Sequence, residues 1–278
     1  MLISLELVLL FITALAVGII GNIAGIGGGV LIMAIFLFLF RINPVLAGGF
    51  SLVTIITSAA VGSLSNLRQN AISRNFFYSI VLFAGIGAVL GSVVTYFVEV
   101  KSFEAIFSVI SISIGIFSVV ATRIDIRSNK DVMLEKSFSM LDRNEQKELK
   151  NIRVNRFESA FVYLIAGLVA GFMGIGIGGI AGTYLTAIRK ANPKIAFSSV
   201  LAAMIVTSVL GSIVHFAGIP FEDTYLPIIS FLILGAALGA VLGSYLSARI
   251  KSKRLRQMQG YIIMSLGFIS LVLTILTS

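Results

Sequence analysis

The chain has 278 residues, of which 58 % are hydrophobic and only 12 % charged, with several apolar stretches near 20 residues; this excludes a soluble globule and points to an integral membrane protein. It has no cysteine and a single histidine, His215, so disulfides, thiolate redox centres and histidine metal clusters are excluded, and neither cofactor nor metal is expected. The net charge of +9 sits in loops, where it marks topology rather than a nucleic-acid partner.

A long, predominantly apolar run from about Leu5 to Phe40 opens the chain. As one helix it would be about 54 Å long against a hydrocarbon core of about 30 Å, and two full spans plus a turn would need over about 40 residues. It is therefore predicted to fold as two shortened helices that meet near mid-membrane at Gly21–Gly29, read GNIAGIGGG. The run is too long for the apolar core of a cleavable signal, so the N-terminus is expected to be retained. Each glycine in a helix interior costs about 1 kcal/mol against alanine, and five fall within these nine residues. What they supply is positive φ, close backbone approach and bare N–H groups at the start of the second leg, a combination that favours an anion. Tight helix packing is the plainer use of the same residues.

After a break at Arg41-Ile42-Asn43-Pro44, apolar segments follow at about 45–66, 75–98 and 102–122, each long enough to span. Between Arg123 and Arg156 the character changes, for this stretch holds 9 of the 21 Lys and Arg and 6 of the 12 Asp and Glu. It reads as a soluble connector, with a weakly signalled surface helix within 132–149. A second long apolar run then begins at Phe157 and ends near Ile188, broken at GFMGIGIGG from Gly171 to Gly179.

The chain repeats itself. A shift of 149 residues places Gly18 on Gly167, Gly25 on Gly174, Gly27 on Gly176, Gly29 on Gly178, Asn43-Pro44 on Asn192-Pro193, Ala47 on Ala196 and Gly62-Ser63 on Gly211-Ser212. GAVLGS at Gly87–Ser92 recurs unchanged at Gly239–Ser244. Two homologous halves, 1–122 and 157–278, flank the connector 123–156 in one compact membrane domain. Lys and Arg mark the cytoplasmic side. By that rule the connector, the five basic residues of Arg249–Arg256, Arg68, Arg74, Arg189, Lys190 and Lys194 lie inside, Glu222 and Asp223 outside, and both termini outside; Arg41 is the one dissenting charge. The second apolar run thus starts and ends inside and must be a hairpin. The expected fold is all-α, with two inverted-topology repeats in the cell membrane, each a glycine-broken hairpin followed by three transmembrane helices, about ten helical segments in all.

GxGGG after a first apolar leg, GxGxGG in the second half, Asn-Pro after each hairpin and GAVLGS in each fourth segment together make the chain resemble the TauE/SafE family of sulfite and organosulfonate exporters. The resemblance covers both halves but not the connector, and implies export of a small anion. In that family a polar residue, commonly histidine, closes the third segment; the matching positions here are Asn66 and His215.

Inverted repeats would bring the hairpin tips together, one from each side of the membrane. The starts of the second legs, with Gly27, Gly28 and Gly29 in one half and Gly176, Gly178 and Gly179 in the other, would then face a common cavity with bare N–H groups and the positive ends of two helix dipoles. Such a cradle needs no buried Arg or Lys, which would cost about 2.5–3.5 kcal/mol at the membrane centre. Beside each tip runs a polar stripe, Ser51, Thr54 and Ser58 at helical spacing in the first half and Thr207 and Ser208 in the second, whose hydroxyls could donate to anion oxygens or simply bond their own backbone. Asn66, Arg68 and His215 are candidates for a gate, His215 for a proton-linked one. GAVLGS reads as helix packing. No Asp or Glu lies in the middle of a segment, so no acidic proton relay is expected. The leading expectation is a secondary transporter working by rocking of one half against the other; an anion channel is the alternative, and an intramembrane serine protease, built on Gly49-Phe50-Ser51 and His215, a remote one. The expected partners are a small anionic substrate and the lipid bilayer.

Overall fold

The computed structural model describes residues 2–24, 27–68, 71–127, 156–220, 222–247 and 252–277; most of the connector therefore lies outside the described residues. Among them the protein is all-helical. The first half gives α1 (Leu2–Ala24), α2 (Gly29–Phe38), α3 (Pro44–Arg68), α4 (Arg74–Thr95) and α5 (Val100–Arg127). The second gives α6 (Arg156–Met173), α7 (Gly178–Thr183) running on into a wide turn at Tyr184–Ile188, α8 (Pro193–Ala217), α9 (Tyr225–Ser247) and α10 (Ser252–Thr277). Five of these helices, α3, α4, α5, α8 and α9, are long and apolar enough to cross a membrane. Their outward faces carry large apolar side chains, such as Leu82, Ile86 and Leu90 on α4 and Leu234, Leu238 and Val241 on α9. This is a multi-pass membrane protein.

Each apolar run breaks at its glycines as expected, but the legs are unequal. α1 has 23 residues, about 35 Å at 1.5 Å per residue, whereas α2 has 10, about 15 Å. The helix extends back to Leu2 because nothing in the apolar sequence before Gly21 stops it, so only the return leg is short. α5 and α6 likewise reach past the edges of the connector, to Arg127 and from Arg156.

The turn that leaves each hairpin closes with matching bonds in the two halves. Ile42 N donates to Phe36 O at 3.0 Å and the equivalent Ala191 N to Leu185 O at 2.9 Å. Asn43 Oδ1 accepts from Val45 N at 2.9 Å, and Asn192 Oδ1 from Lys194 N at 3.0 Å. Asparagine caps the third helix by taking one of its orphan amides, and proline at the first helical position has no amide to orphan. Arg41 and its equivalent Lys190 both sit at φ 52, the only non-glycine residues among those described at positive φ.

Helix packing interleaves the halves. α1 lies along α9, and in the same way α6 lies along α4. A Cβ on Gly235 or Gly239 of α9 would strike the carbonyl oxygens of Phe11 and Leu15, and one on Gly87 or Gly91 of α4 those of Leu164 and Leu168. The GAVLGS glycines are therefore seams of close backbone approach. Residue numbers rise together along both seams, so those helices run parallel. The equivalent helices α3 and α8 run antiparallel, with Gly48 on His215 and Gly211 on Leu52, and so do α5 and α10, with Gly267 on Ile112 and Gly115 on Met264.

The hairpin tips and the helices around them

The two tips meet inside the protein. Gly27 and Gly28 sit at φ 72 and 80, Gly174 and Gly176 at φ 65 and 76, conformations that only glycine adopts freely. A Cβ on Gly29 would stand 2.6 Å from the Ile175 carbonyl oxygen, so the start of α2 lies directly against the second tip. Every described residue from Gly27 to Val30 and from Gly171 to Gly179 is buried. The amides of Gly28, Gly29 and Val30, and of Gly179 and Ile180, find no acceptor among the described residues. Of the expected tip donors, the amide of Gly27 is taken up by Gly21 O at 3.2 Å.

α3 fastens both tips. Ser51 Oγ donates to Gly174 O at 2.5 Å and reaches Gly29 O at 3.3 Å, while Ser58 Oγ donates to Gly27 O at 3.0 Å. The polar stripe is thus aimed at the tips, with its hydroxyl protons held by tip carbonyls. Thr54 and Thr207 bond their own helices, to Phe50 O at 2.9 Å and Met204 O at 3.2 Å. Ser208 is buried, and its hydroxyl finds no partner among the described residues. By helical spacing it shares a face of α8 with Ser212 and His215.

His215 is fully buried and joins three elements. Its Nε2 lies 2.9 Å from Gly171 O on the second hairpin, and its ring covers Gly48 of α3, where a Cβ would stand 2.6 Å from Cε1. Asn66 and Arg68 lie in the last turn of α3, but their side chains fall outside the described residues, as do Gly25 and Ile26 of the first tip.

Other tip contacts escape the sequence reading. Asn22, 7 % exposed, donates to Gly18 O at 3.2 Å and Ser58 O at 3.3 Å, tying the end of α1 to α3. Thr95 Oγ1 donates to Phe172 O at 2.9 Å and Ser92 Oγ to Gly171 O at 3.3 Å, tying α4 to the second hairpin. Asn22 could have been found, as the one amide side chain inside the first glycine motif.

The two ends of the protein are closed differently. Beside the exit of the first hairpin, Phe50 packs its ring against Phe36 at 5.8 Å, Phe216 at 5.8 Å and Tyr225 at 5.7 Å. Beside the exit of the second, Arg189 bonds Glu158 at 2.8 Å and the Tyr184 hydroxyl at 2.8 Å, and that hydroxyl also meets Ser159 Oγ at 2.9 Å. A surface groove of about 570 Å³ between α5 and the Tyr184–Ile188 turn is lined mostly by apolar side chains, such as Ile116, Phe117 and Ile188, and touches none of the tip residues.

The family model for the sulfite exporter TauE/SafE matches residues 10–269, nearly the whole chain. The chain belongs to the TauE/SafE family. It is also 21 % identical over 273 residues to "Probable membrane transporter protein YunE" of Bacillus subtilis (strain 168), covering 95 % of this chain and 96 % of that protein. No solved structure matches it. A TauE/SafE protein is a membrane transporter and not an enzyme, so it takes a small-molecule substrate and the serine-protease alternative falls away. His215 Nε2 moreover bonds Gly171 O and Ser51 gives its proton to Gly174 O, so the two are not hydrogen-bonded to each other as a nucleophile and base would be.

Proposed function

We propose that this TauE/SafE transporter exports a small sulfur oxyanion, sulfite or an organosulfonate, held between the two hairpin tips. The observation that carries the reading is the meeting of Gly29 with Ile175 O, which brings the starts of the two short legs side by side, where the amides of Gly28 and Gly179 find no acceptor among the described residues. Ser51 and Ser58 then act by holding the tips in place, with Thr54, Thr207 and Ser208 along the same path. Oxyanions suit such a site because amide donors and helix N-termini favour negative charge. Gly27, Gly28, Gly29, Gly176, Gly178 and Gly179 supply the backbone. His215, by gripping Gly171 O and Gly48, is the gating contact on the second half, with Asn66 its equivalent on the first and Arg68 drawing anions to the inner mouth.

The inverted arrangement belongs to the same proposal. With the connector and Arg249–Arg256 cytoplasmic and both termini outside, α1 must run parallel to α9, α4 parallel to α6, α3 antiparallel to α8 and α5 antiparallel to α10. The glycine contacts support all four directions without reference to charge.

Binding of sulfite, methanesulfonate and sulfate to purified protein, measured by titration calorimetry, tests the site. Gly176→Ala adds one methyl at the second tip, and Gly85→Ala adds one on α4, where a Cβ would meet only Leu210 Cδ1 at 3.2 Å. A sulfur oxyanion should bind the parent and Gly85→Ala alike and Gly176→Ala at least tenfold more weakly. Binding to Gly176→Ala at parental strength would place the anion elsewhere. Counterflow in proteoliposomes separates a transporter from a channel.

A further inference from the structure

Ile55 of α3 and Met204 of α8 occupy the same position of the two halves, 149 residues apart, and both are fully buried. They cover the two tips together. A Cβ on Gly27 would stand 2.7 Å from Met204 Sδ and 3.3 Å from Ile55 Cγ2; a Cβ on Gly176, the equivalent glycine, would stand 3.0 Å from the same sulfur and 3.4 Å from Ile55 Cδ1. Ile55 Cδ1 also lies 2.5 Å from the Cβ position of Gly29, where the first tip meets the second. One apolar pair, drawn from equivalent sites on antiparallel helices, thus closes over the left-handed backbone of both halves. On α3 the pair is flanked by Ser51 and Ser58, which hold the tips from either side of Ile55.

We propose that Met204 against Ile55 is the barrier across the transport path between the tips and sets the upper size of the anion that passes. This rests on the tips being the anion site. The two side chains divide the work by their chemistry. Isoleucine is branched at Cβ and nearly fixed at χ1, so Ile55 is the standing wall. Methionine is unbranched with three rotatable bonds, so Met204 can swing its thioether off both glycines without moving the backbone. An anion reaching the amides displaces that thioether, and its non-anionic part then lies where the sulfur was. Ordinary core residues fill space between helices; this pair fills the space beside backbone that has no side chain of its own.

The test uses proteoliposomes and a series of linear alkanesulfonates from one to four carbons, with sulfite as reference. The parent should show a size limit within the series. Met204→Ala should raise transport of the first excluded sulfonate at least tenfold relative to sulfite, and the milder Ile55→Val should shift the limit the same way, which keeps the test alive should Met204→Ala fail to fold. Met204→Leu, close in volume, should keep the parental limit, as should Leu52→Ala, a buried α3 change that faces Gly211 rather than the tips. Binding of sulfite is measured in parallel on each purified variant and on Gly176→Ala. An unmoved size limit in Met204→Ala and Ile55→Val, with binding weakened in Gly176→Ala, overturns the barrier and leaves the tip site standing. Parental binding in Gly176→Ala overturns both. A parent that shows no size limit overturns the barrier as well.

Discussion

Alanine at Gly28 and at Gly176 should have unequal costs although the two glycines share the same left-handed conformation. Each substitution places a side chain at positive φ, φ 80 and φ 76 respectively, a penalty of about 1–2 kcal/mol. At Gly28 the new Cβ would also stand 2.7 Å from Val17 O, a backbone atom of α1, with Val17 Cγ1 closer still. A carbonyl in mid-helix cannot swing aside, so the hairpin must open, adding about 1–3 kcal/mol as in overpacked cores. At Gly176 the nearest atom is Met204 Sδ at 3.0 Å, the far part of a flexible chain, and little is added. Gly28→Ala should therefore lose about 2–5 kcal/mol and Gly176→Ala about 1–2 kcal/mol. Unfolding of the detergent-purified proteins in sodium dodecyl sulfate, followed by far-UV circular dichroism, measures both. Equal losses, or a greater loss at Gly176, would refute the placement of Gly28 against α1. The difference also decides which glycine is the cleaner probe of anion binding, and that is Gly176.

The seams give a second expectation: Gly91→Ala and Gly239→Ala should each lower stability by about 1–3 kcal/mol through overlap with Leu168 O and Leu15 O, while the protein that remains folded binds sulfite at parental strength; unfolding and calorimetry on the same samples check it. Topology gives a third, since the chain has no cysteine of its own. An impermeant maleimide added to whole cells should label Asp223→Cys and spare Lys190→Cys, and the reverse pattern would overturn the orientation.

Ten helical segments, the glycine breaks and the Asn-Pro starts were legible because each is local: apolar length, helix cost and capping depend on neighbouring residues only. GAVLGS was legible as packing, but its partner was not. A repeat says which positions are equivalent, and equivalence does not say that α4 packs on the first helix of the other half. Arg41 dissents from the loop charges and reads differently once paired with Lys190, since both stand in a left-handed turn that the two halves share. Helical spacing put Ser51 and Ser58 on one face without saying whether their protons go to a ligand or, as found, to tip carbonyls. Ile55 and Met204 carried no signal beyond their offset, because an apolar residue in an apolar helix reads as core. The first leg was expected short and is long, for the sequence marks where a helix breaks more clearly than how far back it runs.

The interleaved seams also bear on how access alternates. If one half rocked as a unit against the other, α1 would have to part from α9 and α4 from α6, two seams where a glycine Cβ would strike backbone carbonyls of the facing helix. Glycine seams of this kind do not slide freely, because each carbonyl sits where a side chain would otherwise be. The seams lead us to expect mixed moving bodies, α1 with α9 and α4 with α6, with the tips shifting relative to α3 and α8, where Ser51, Ser58 and His215 make separable hydrogen bonds. Ala14→Cys with Gly235→Cys tests this. The Cβ positions stand 2.9 Å apart, against about 3.5–4.5 Å in a disulfide, so the helices need part by only about 1 Å for the bond to form. The oxidised double variant, its bond verified by thiol titration, should export sulfite from proteoliposomes at a rate within about twofold of the reduced protein, because the bond joins two helices of one body. Loss of transport on oxidation, restored by dithiothreitol, would show that α1 and α9 must separate in the cycle, and the rocking of intact halves would be the better description.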